Sequence, residues 1–261
     1  MSIIKIKNAS VRIFDAEILS DISWQVAKGE HWFILGANGA GKTTLVKMLM
    51  GFQWPLFGAE IEILNYRFGS ANLVEMRKKI AWVSPFLSNW TSDDCRAVAV
   101  VLSGLDQTIG LHREAEDFET AQALEVMSKL NCAHLAEHKF DTLSSGEQIK
   151  MLICRALMGR PELIILDEPC VYLDLKSREF LLRTIEEFIN APEAPTVIFI
   201  SQRIEDISPA FSKGMLLKDG RIIASGSHDL ILTEQQLSAA FDMPLKLYRS
   251  SDGRFWPVPC Y

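Results

Sequence analysis

The sequence predicts an α/β protein built on a parallel sheet, with a helical segment inserted into the sheet-forming part. Three observations carry this. The short apolar runs 31–35, 163–166 and 196–200 lack the alternation of a half-exposed strand, and so read as strands buried on both faces. Helical stretches separate such runs, with 177–189 lying between the second and the third. Finally, 261 residues, 48% hydrophobic and 23% charged, are enough for one large core but short for two full domains.

Taken in order, residues 1–30 alternate as strands do, with Ile4, Ile6, Val11 and Ile13 in apolar positions and a turn at Lys28-Gly29. After the run that ends at Leu35, residues 43–50 read as a helix stopped by Gly51. A further short β segment is expected within 52–68, and a strand over 79–83 ended by Ser84-Pro85. From about 91 to 160 the pattern turns helical, including 114–130 and 145–158. Strand-like runs return after Pro161, the last at 215–217. The expected division is a single 1–261 domain: core from 1–83 and 155–227, helical part 84–154, and a tail 228–261 closing over the core with Phe255 and Trp256. The Arg77-Lys78-Lys79 run reads as a solvated turn.

Charge and cysteine usage narrow the class. Lys plus Arg number 27 and Asp plus Glu 33, a net charge of −6 with both signs dispersed. Sequence-independent nucleic-acid binding needs clustered cations, so no direct nucleic-acid contact is expected. The longest apolar run, 97–102, is far too short to cross a membrane, and the N-terminus lacks a cleavable signal pattern. The five cysteines form no CxxC and read as reduced thiols of a cytoplasmic protein. His112, His134 and His138 lack ligand-spaced partners and read as surface residues.

The sharpest local signal is Gly36-Ala37-Asn38-Gly39-Ala40-Gly41-Lys42-Thr43, a G-x-x-x-x-G-K-[ST] motif between a strand and a helix. Its glycines let backbone N–H groups turn inward onto phosphate oxygens, and the helix start adds its positive dipole end. Lys42 reaches the terminal phosphates, the Thr43 hydroxyl suits magnesium, and the backbone through Thr44 completes a clamp for a nucleoside triphosphate. The glycines run GxxGxG, which excludes the GxGxxG dinucleotide fingerprint.

A second signal closes the run 163–166, where Asp167-Glu168-Pro169 puts two carboxylates at a strand's carboxyl end. Ligands of open α/β sheets gather at that edge. Asp167 suits a magnesium shell, and Glu168 suits the role of base toward an attacking water. Without a phosphate loop upstream, the same pair would be two solvated acids at a strand end.

Leu143-Ser144-Ser145-Gly146-Glu147-Gln148 opens a helix, and Ser144-x-x-Glu147 is a capping box on its own terms. The order of phosphate loop, L-S-x-G-E, strand-D-E-P and then Leu173-Asp174 resembles the ATP-binding cassette (ABC) ATPases, from about residue 3 to residue 226. The resemblance implies a P-loop NTPase: a RecA-like core with a parallel sheet, a small antiparallel β subdomain and an inserted helical subdomain. It implies ATP and Mg2+ as ligands, and a head-to-tail homodimer or heterodimer of cassettes with ATP between them. Ser144, Ser145, Gly146 and Glu147 would then face the γ-phosphate of the opposite subunit, and Leu173 and Asp174 the dimer interface. Phe14 falls where the family stacks a ring on adenine, although it also reads as a strand-end core residue. The helical part would contact separate transmembrane permease subunits, which would hold the chain at the inner face of the membrane.

Two positions depart from the family pattern. Where a glutamine usually follows the 80–83 strand, the chain has Ser84-Pro85, leaving Ser84 as a magnesium ligand through water. Where a histidine usually follows the 196–200 strand, Gln202 stands, which donates a hydrogen bond but carries no charge. Intact ATP binding with slow turnover is expected. The tail, with 208–211, 218–221 and 253–256, resembles the molybdenum- or iron-chelate-transport-like subgroup. The reading is an ATPase subunit of an ABC importer. The alternative is a non-transport cassette ATPase acting as an ATP-gated switch on a protein or ribonucleoprotein partner. A P-loop kinase would leave the 144–148 segment without a purpose.

Overall fold

Alternating apolar residues make the first two strands of the computed structural model a long antiparallel pair, β1 (Ser2–Ile13) and β2 (Ala16–Ala27). The structure describes residues 1–90, 94–108, 110–192 and 194–260. It forms two compact units, Met1–Arg77 with Ile189–Tyr261, and Lys78–Phe188.

In the first unit β3 (Trp32–Leu35) leads to α1 (Lys42–Leu49), followed by β4 (Glu60–Ile63), β5 (Tyr66–Arg67) and a short helix α2 (Leu73–Arg77). The order β2-β1-β4-β5 gives the small antiparallel sheet that the resemblance implied. Met50 caps α1, and Gly51 follows at φ 69°, in the left-handed region that lets the chain turn away. A Cβ there would also lie 2.8 Å from Leu73 Cδ1. Arg77 is no plain solvated residue: its guanidinium lies over the Phe52 ring and donates to the Met50 carbonyl at 3.3 Å.

The second unit contains β6 (Ile80–Val83), a 3₁₀ turn (Pro85–Trp90), α3 (Ala97–Asp106), α4 (Asp117–Lys129), α5 (Ser145–Met158), β7 (Leu163–Asp167) and α6 (Leu175–Ile189). β6 and β7 pair in parallel, Ile80 opposite Leu163 and Val83 opposite Leu166. Helices α3 and α5 cross closely because Gly104 lacks a side chain; a Cβ there would lie 2.0 Å from the Arg155 carbonyl oxygen. α4 starts at Asp117, later than residue 114, because Glu116 caps it and Glu119 bonds back, a box built on two glutamates.

The chain then returns to the first unit through β8 (Thr196–Ser201), β9 (Lys213–Lys218) and β10 (Arg221–Ser227). The strands run β10-β9-β3-β8, with β3 parallel to both of its neighbours. Every residue of β3 and β8 is buried, which is why neither shows alternation. Two short helices, α7 (His228–Ile231) and α8 (Glu234–Phe241), precede the terminal hairpin of β11 (Leu245–Arg249) and β12 (Phe255–Pro259). Phe255 packs its ring near His228, 6.0 Å between centroids, but Trp256 stays 37% exposed and does not cover the core. Strand alternation sends neighbouring side chains to opposite faces, so only one of the two can point inward.

Candidate nucleotide-binding site

β3 delivers the phosphate loop. At Gly36 a Cβ would sit 2.4 Å from the Leu217 carbonyl oxygen of neighbouring β9, so no side chain fits. Gly39 and Gly41 hold φ values of 83° and 102°, conformations that suit glycine. The ammonium of Lys42, only 5% exposed, bends back to donate to the carbonyls of Gly36 at 2.9 Å and Ala37 at 3.0 Å. The loop therefore closes around a cation. Ala40 is anchored through its carbonyl, which accepts from the Gly220 N–H at 3.1 Å. Gly41 caps α1 without a side-chain hydrogen bond, so the first-turn N–H groups of the helix keep their donor capacity. Thr43 is exposed there, Thr44 half-buried, and Asn38 and Gly39 face solvent.

Register places Gln202 beside this loop. Leu35 of β3 pairs with Ser201 of β8, so Gln202 leaves its strand level with Gly36. The segment after it is fixed from within: Ser201 Oγ donates to Asp206 Oδ2 at 2.9 Å and accepts from the Arg203 N–H at 2.9 Å. Sequence reasoning missed this brace, although a Ser–Asp spacing of five residues is its only signal. Phe14 lies at the β1–β2 turn with φ 52° and is 95% exposed. It is no strand-end core residue; the turn holds its ring out to solvent.

The second unit gathers the remaining residues. β7 is buried throughout and ends on Asp167, 4% exposed, with Glu168 next at φ 52°. Because Val83 pairs with Leu166, Ser84 and Asp167 follow side by side at the ends of β6 and β7, and Ser84 is buried too. Ser84 and Asp167, side by side in this unit, offer hard oxygen donors of the kind magnesium takes, so these two residues fit that ion.

Ser144 caps α5, with Glu147 bonding back: the Ser144 N–H and Oγ donate to Glu147 Oε2 at 2.9 and 2.7 Å. These bonds, the hydroxyl's first, hold the Glu147 carboxyl below its usual range. Gly146 is buried against the loop after β7; a Cβ would meet Ser177 at 3.1 Å and Leu173 Cδ2 at 3.6 Å. Asp174 accepts from the Ser177 N–H at 2.8 Å, which lowers its pKa. So Ser144, Ser145, Gly146, Leu173 and Asp174, read as separate segments, form one neighbourhood. Beside it a cavity of 350 Å3 is lined by residues including Pro85, Phe86, Gln148, Pro169 and Tyr172. Tyr172, 74% exposed, carried no signal in the sequence. His112, His134 and His138 are exposed, as expected.

Comparison with known proteins adds a family. The ABC transporter family model matches residues 19–171. An ABC transporter ATP-binding protein of Streptococcus mutans is 36% identical, covering 99% of both chains. The ABC transporter ATP-binding protein YlmA of Bacillus subtilis is 38% identical over 97% of this chain and 96% of its own. Among solved structures, a metal-chelate-type ABC transporter in an inward-facing conformation matches with a TM-score of 0.81 and 25% identity. That match covers 100% of this chain and 98% of the other. No helix among the described residues is long and apolar enough to cross a membrane. The chain belongs to the ABC transporter family, as one of its ATP-binding proteins.

Proposed function

We propose that the chain hydrolyses Mg-ATP slowly, as one of two cassettes that close on ATP and energise an importer whose membrane subunits are separate chains. The carrying observation is the phosphate loop, whose buried Lys42 ammonium is already folded into the loop beside Gln202. Backbone N–H groups of residues 36–44 and Lys42 bind the phosphates, and Phe14 offers its exposed ring to the adenine. Glu168 takes the proton of the attacking water. Gln202 donates an amide hydrogen to the γ-phosphate, and Ser144 and Gly146 present the α5 N-terminus to the nucleotide of the other cassette. Magnesium, when bound, supplies charge neutralisation between phosphate oxygens, with Thr43, Asp167 and Ser84 as its donors.

Slow turnover is argued from chemistry. A neutral glutamine replaces a charge-assisted bond with a weaker one, and Pro85 has no side-chain donor or acceptor. The import reading draws on the metal-chelate-type transporter that matches the whole chain. It implies residence at the inner face of the membrane through the permease. The test is phosphate release from Mg-ATP across protein concentrations, with Glu168→Gln as control. A slow rate that rises more than linearly with concentration and vanishes in the control supports the reading. ATP bound tightly without release at any concentration sinks it in favour of an ATP-gated switch.

A further inference from the structure

The five cysteines are dispersed in sequence, but two of them meet in the second unit. Cys132 follows α4 and Cys154 sits in α5, 22 positions apart, with their sulfurs 3.8 Å from each other. Both side chains are fully buried. The Cys132 N–H and thiol both point at the Met127 carbonyl, at 2.9 and 3.2 Å, which fixes the direction of its sulfur. Cys132 lies between α4 and a 3₁₀ turn (Ala133–Leu135), outside either helix, whereas Cys154 is held within α5. A disulfide would close the 3.8 Å between the sulfurs to about 2.05 Å.

The electrostatics divide the two thiols. Hydrogen bonding to Cys154, with help from the Lys150 charge, holds the Cys132 thiol below its usual range against the opposing effect of burial. The same hydrogen bond, then burial, pushes the Cys154 thiol well above its own. The two thiols are therefore unequal: Cys132 gives up its proton more readily than Cys154, which suits Cys132 to be the sulfur oxidised first.

We propose that Cys132 and Cys154 form a redox modification site, which hydrogen peroxide converts to a disulfide that ties the end of α4 to α5 and slows ATP turnover. The Cys132 thiolate attacks one peroxide oxygen, breaking the O–O bond and giving a sulfenic acid and hydroxide. The Cys154 sulfur then attacks the sulfenic sulfur; the S–O bond breaks, and the thiol proton leaves with the hydroxyl as water. Two electrons pass from the thiols to peroxide, and an external dithiol reverses the change by exchange. The effect on turnover rests on the ATPase reading above, because α5 carries Ser144 and Gly146 at its start; formation of the disulfide does not.

The test exposes the reduced, full chain to hydrogen peroxide, caps remaining thiols under denaturing conditions, and maps the peptides without reduction. The expected result is loss of two cappable thiols of five, a mass lower by about 2 Da before capping, and a cross-linked peptide joining Cys132 to Cys154. Dithiothreitol reverses all three, and turnover falls several-fold in the oxidised protein and returns with the dithiol. Because the mapping uses the unsubstituted chain, it stands whether or not Cys132→Ala and Cys154→Ala fold; where they do, neither gives the cross-link. Oxidation confined to Cys95 or Cys260, or Cys132 passing to a sulfinic acid without a cross-link, overturns the site. A complete disulfide with unchanged turnover in a chain that hydrolyses ATP overturns the regulatory link. A chain with no hydrolysis in either state refutes the ATPase reading while the peptide map still decides the disulfide.

Discussion

Gln202 and Gly36, level with each other at the ends of β8 and β3, make separate predictions. Replacing Gln202 by histidine puts a group that can carry charge where a neutral amide stands. A charge-assisted hydrogen bond exceeds a neutral one by about 1 kcal/mol, which corresponds to roughly fivefold in rate. The Gln202→His protein is therefore expected to turn over ATP about fivefold faster, with little change in ATP affinity, and steady-state phosphate release measures it. An unchanged rate removes Gln202 from the γ-phosphate. Gly36→Ala acts on the fold instead, because its Cβ would collide with the Leu217 carbonyl oxygen, a backbone atom that cannot swing aside. A loss of about 2 kcal/mol in stability is expected from such overpacking, together with loss of nucleotide binding, and denaturant unfolding with and without Mg-ATP reads both. Gly39→Ala, which meets nothing within 4 Å, keeps more of its fold and pays only for its φ of 83°.

At the scale of the element, α5 has a capping box and a proposed phosphate contact at the same end, and the two can be separated. Its capping box is a local stabiliser, and Ser144→Ala costs about 1 kcal/mol by leaving a first-turn N–H without its acceptor. Ser144→Asp keeps an acceptor at the cap, so stability stays near that of the unsubstituted chain. It also places a carboxylate where the proposed function needs a γ-phosphate partner, so turnover is lost. If Ser144→Asp hydrolyses ATP normally, the start of α5 is only a cap. The same box has a pH signature. The Glu147 carboxyl is lowered by its bonds to Ser144, so the folded state binds its proton less readily than the unfolded chain. Its contribution is present above the ordinary glutamate pKa and fades as pH falls through the lower folded value. In Ser144→Ala the main cause of the shift is gone, so the acid limb of its stability curve is flatter.

The sequence was most informative where chemistry is local. Gly36 to Lys42 could be read outright, because glycine conformation, strand and helix start all lie within one short segment. Ser144 and Glu147 were legible for the same reason. What failed involved faces and distance. Trp256 read as core, but β12 turns it outward; α4 began later because glutamates form its cap; and Cys132 and Cys154 gave no spacing signal because α4 and α5 bring them together only on folding. Phe14 had two readings until the turn at φ 52° put its ring in solvent.

For the molecule as a whole, the residues proposed to act on one nucleotide come from two chains, so activity is expected to depend on association. Ser144 and Gly146 would serve the ATP of a partner, whereas Lys42 and Glu168 would serve their own. That division gives complementation a definite outcome. A Lys42→Ala chain cannot hold phosphate but keeps an intact α5 start, and a Ser144→Asp chain has the reverse defect. Each alone is expected to be inactive. Mixed in equal amounts, they form about half mixed pairs when pairing is random, and each mixed pair holds one complete site, joining the Ser144→Asp loop to the Lys42→Ala α5 start. Phosphate release should then recover to about a quarter of the unsubstituted rate if the two sites act independently. No recovery, although sedimentation shows Mg-ATP-dependent pairing, would mean that both sites must be complete at once, or that residues 144–147 do not act across the pair. Sedimentation of Glu168→Gln with Mg-ATP separates these: a stable pair that is lost on adding Ser144→Asp in the same chain assigns the α5 start to the interface, and a pair that persists excludes it.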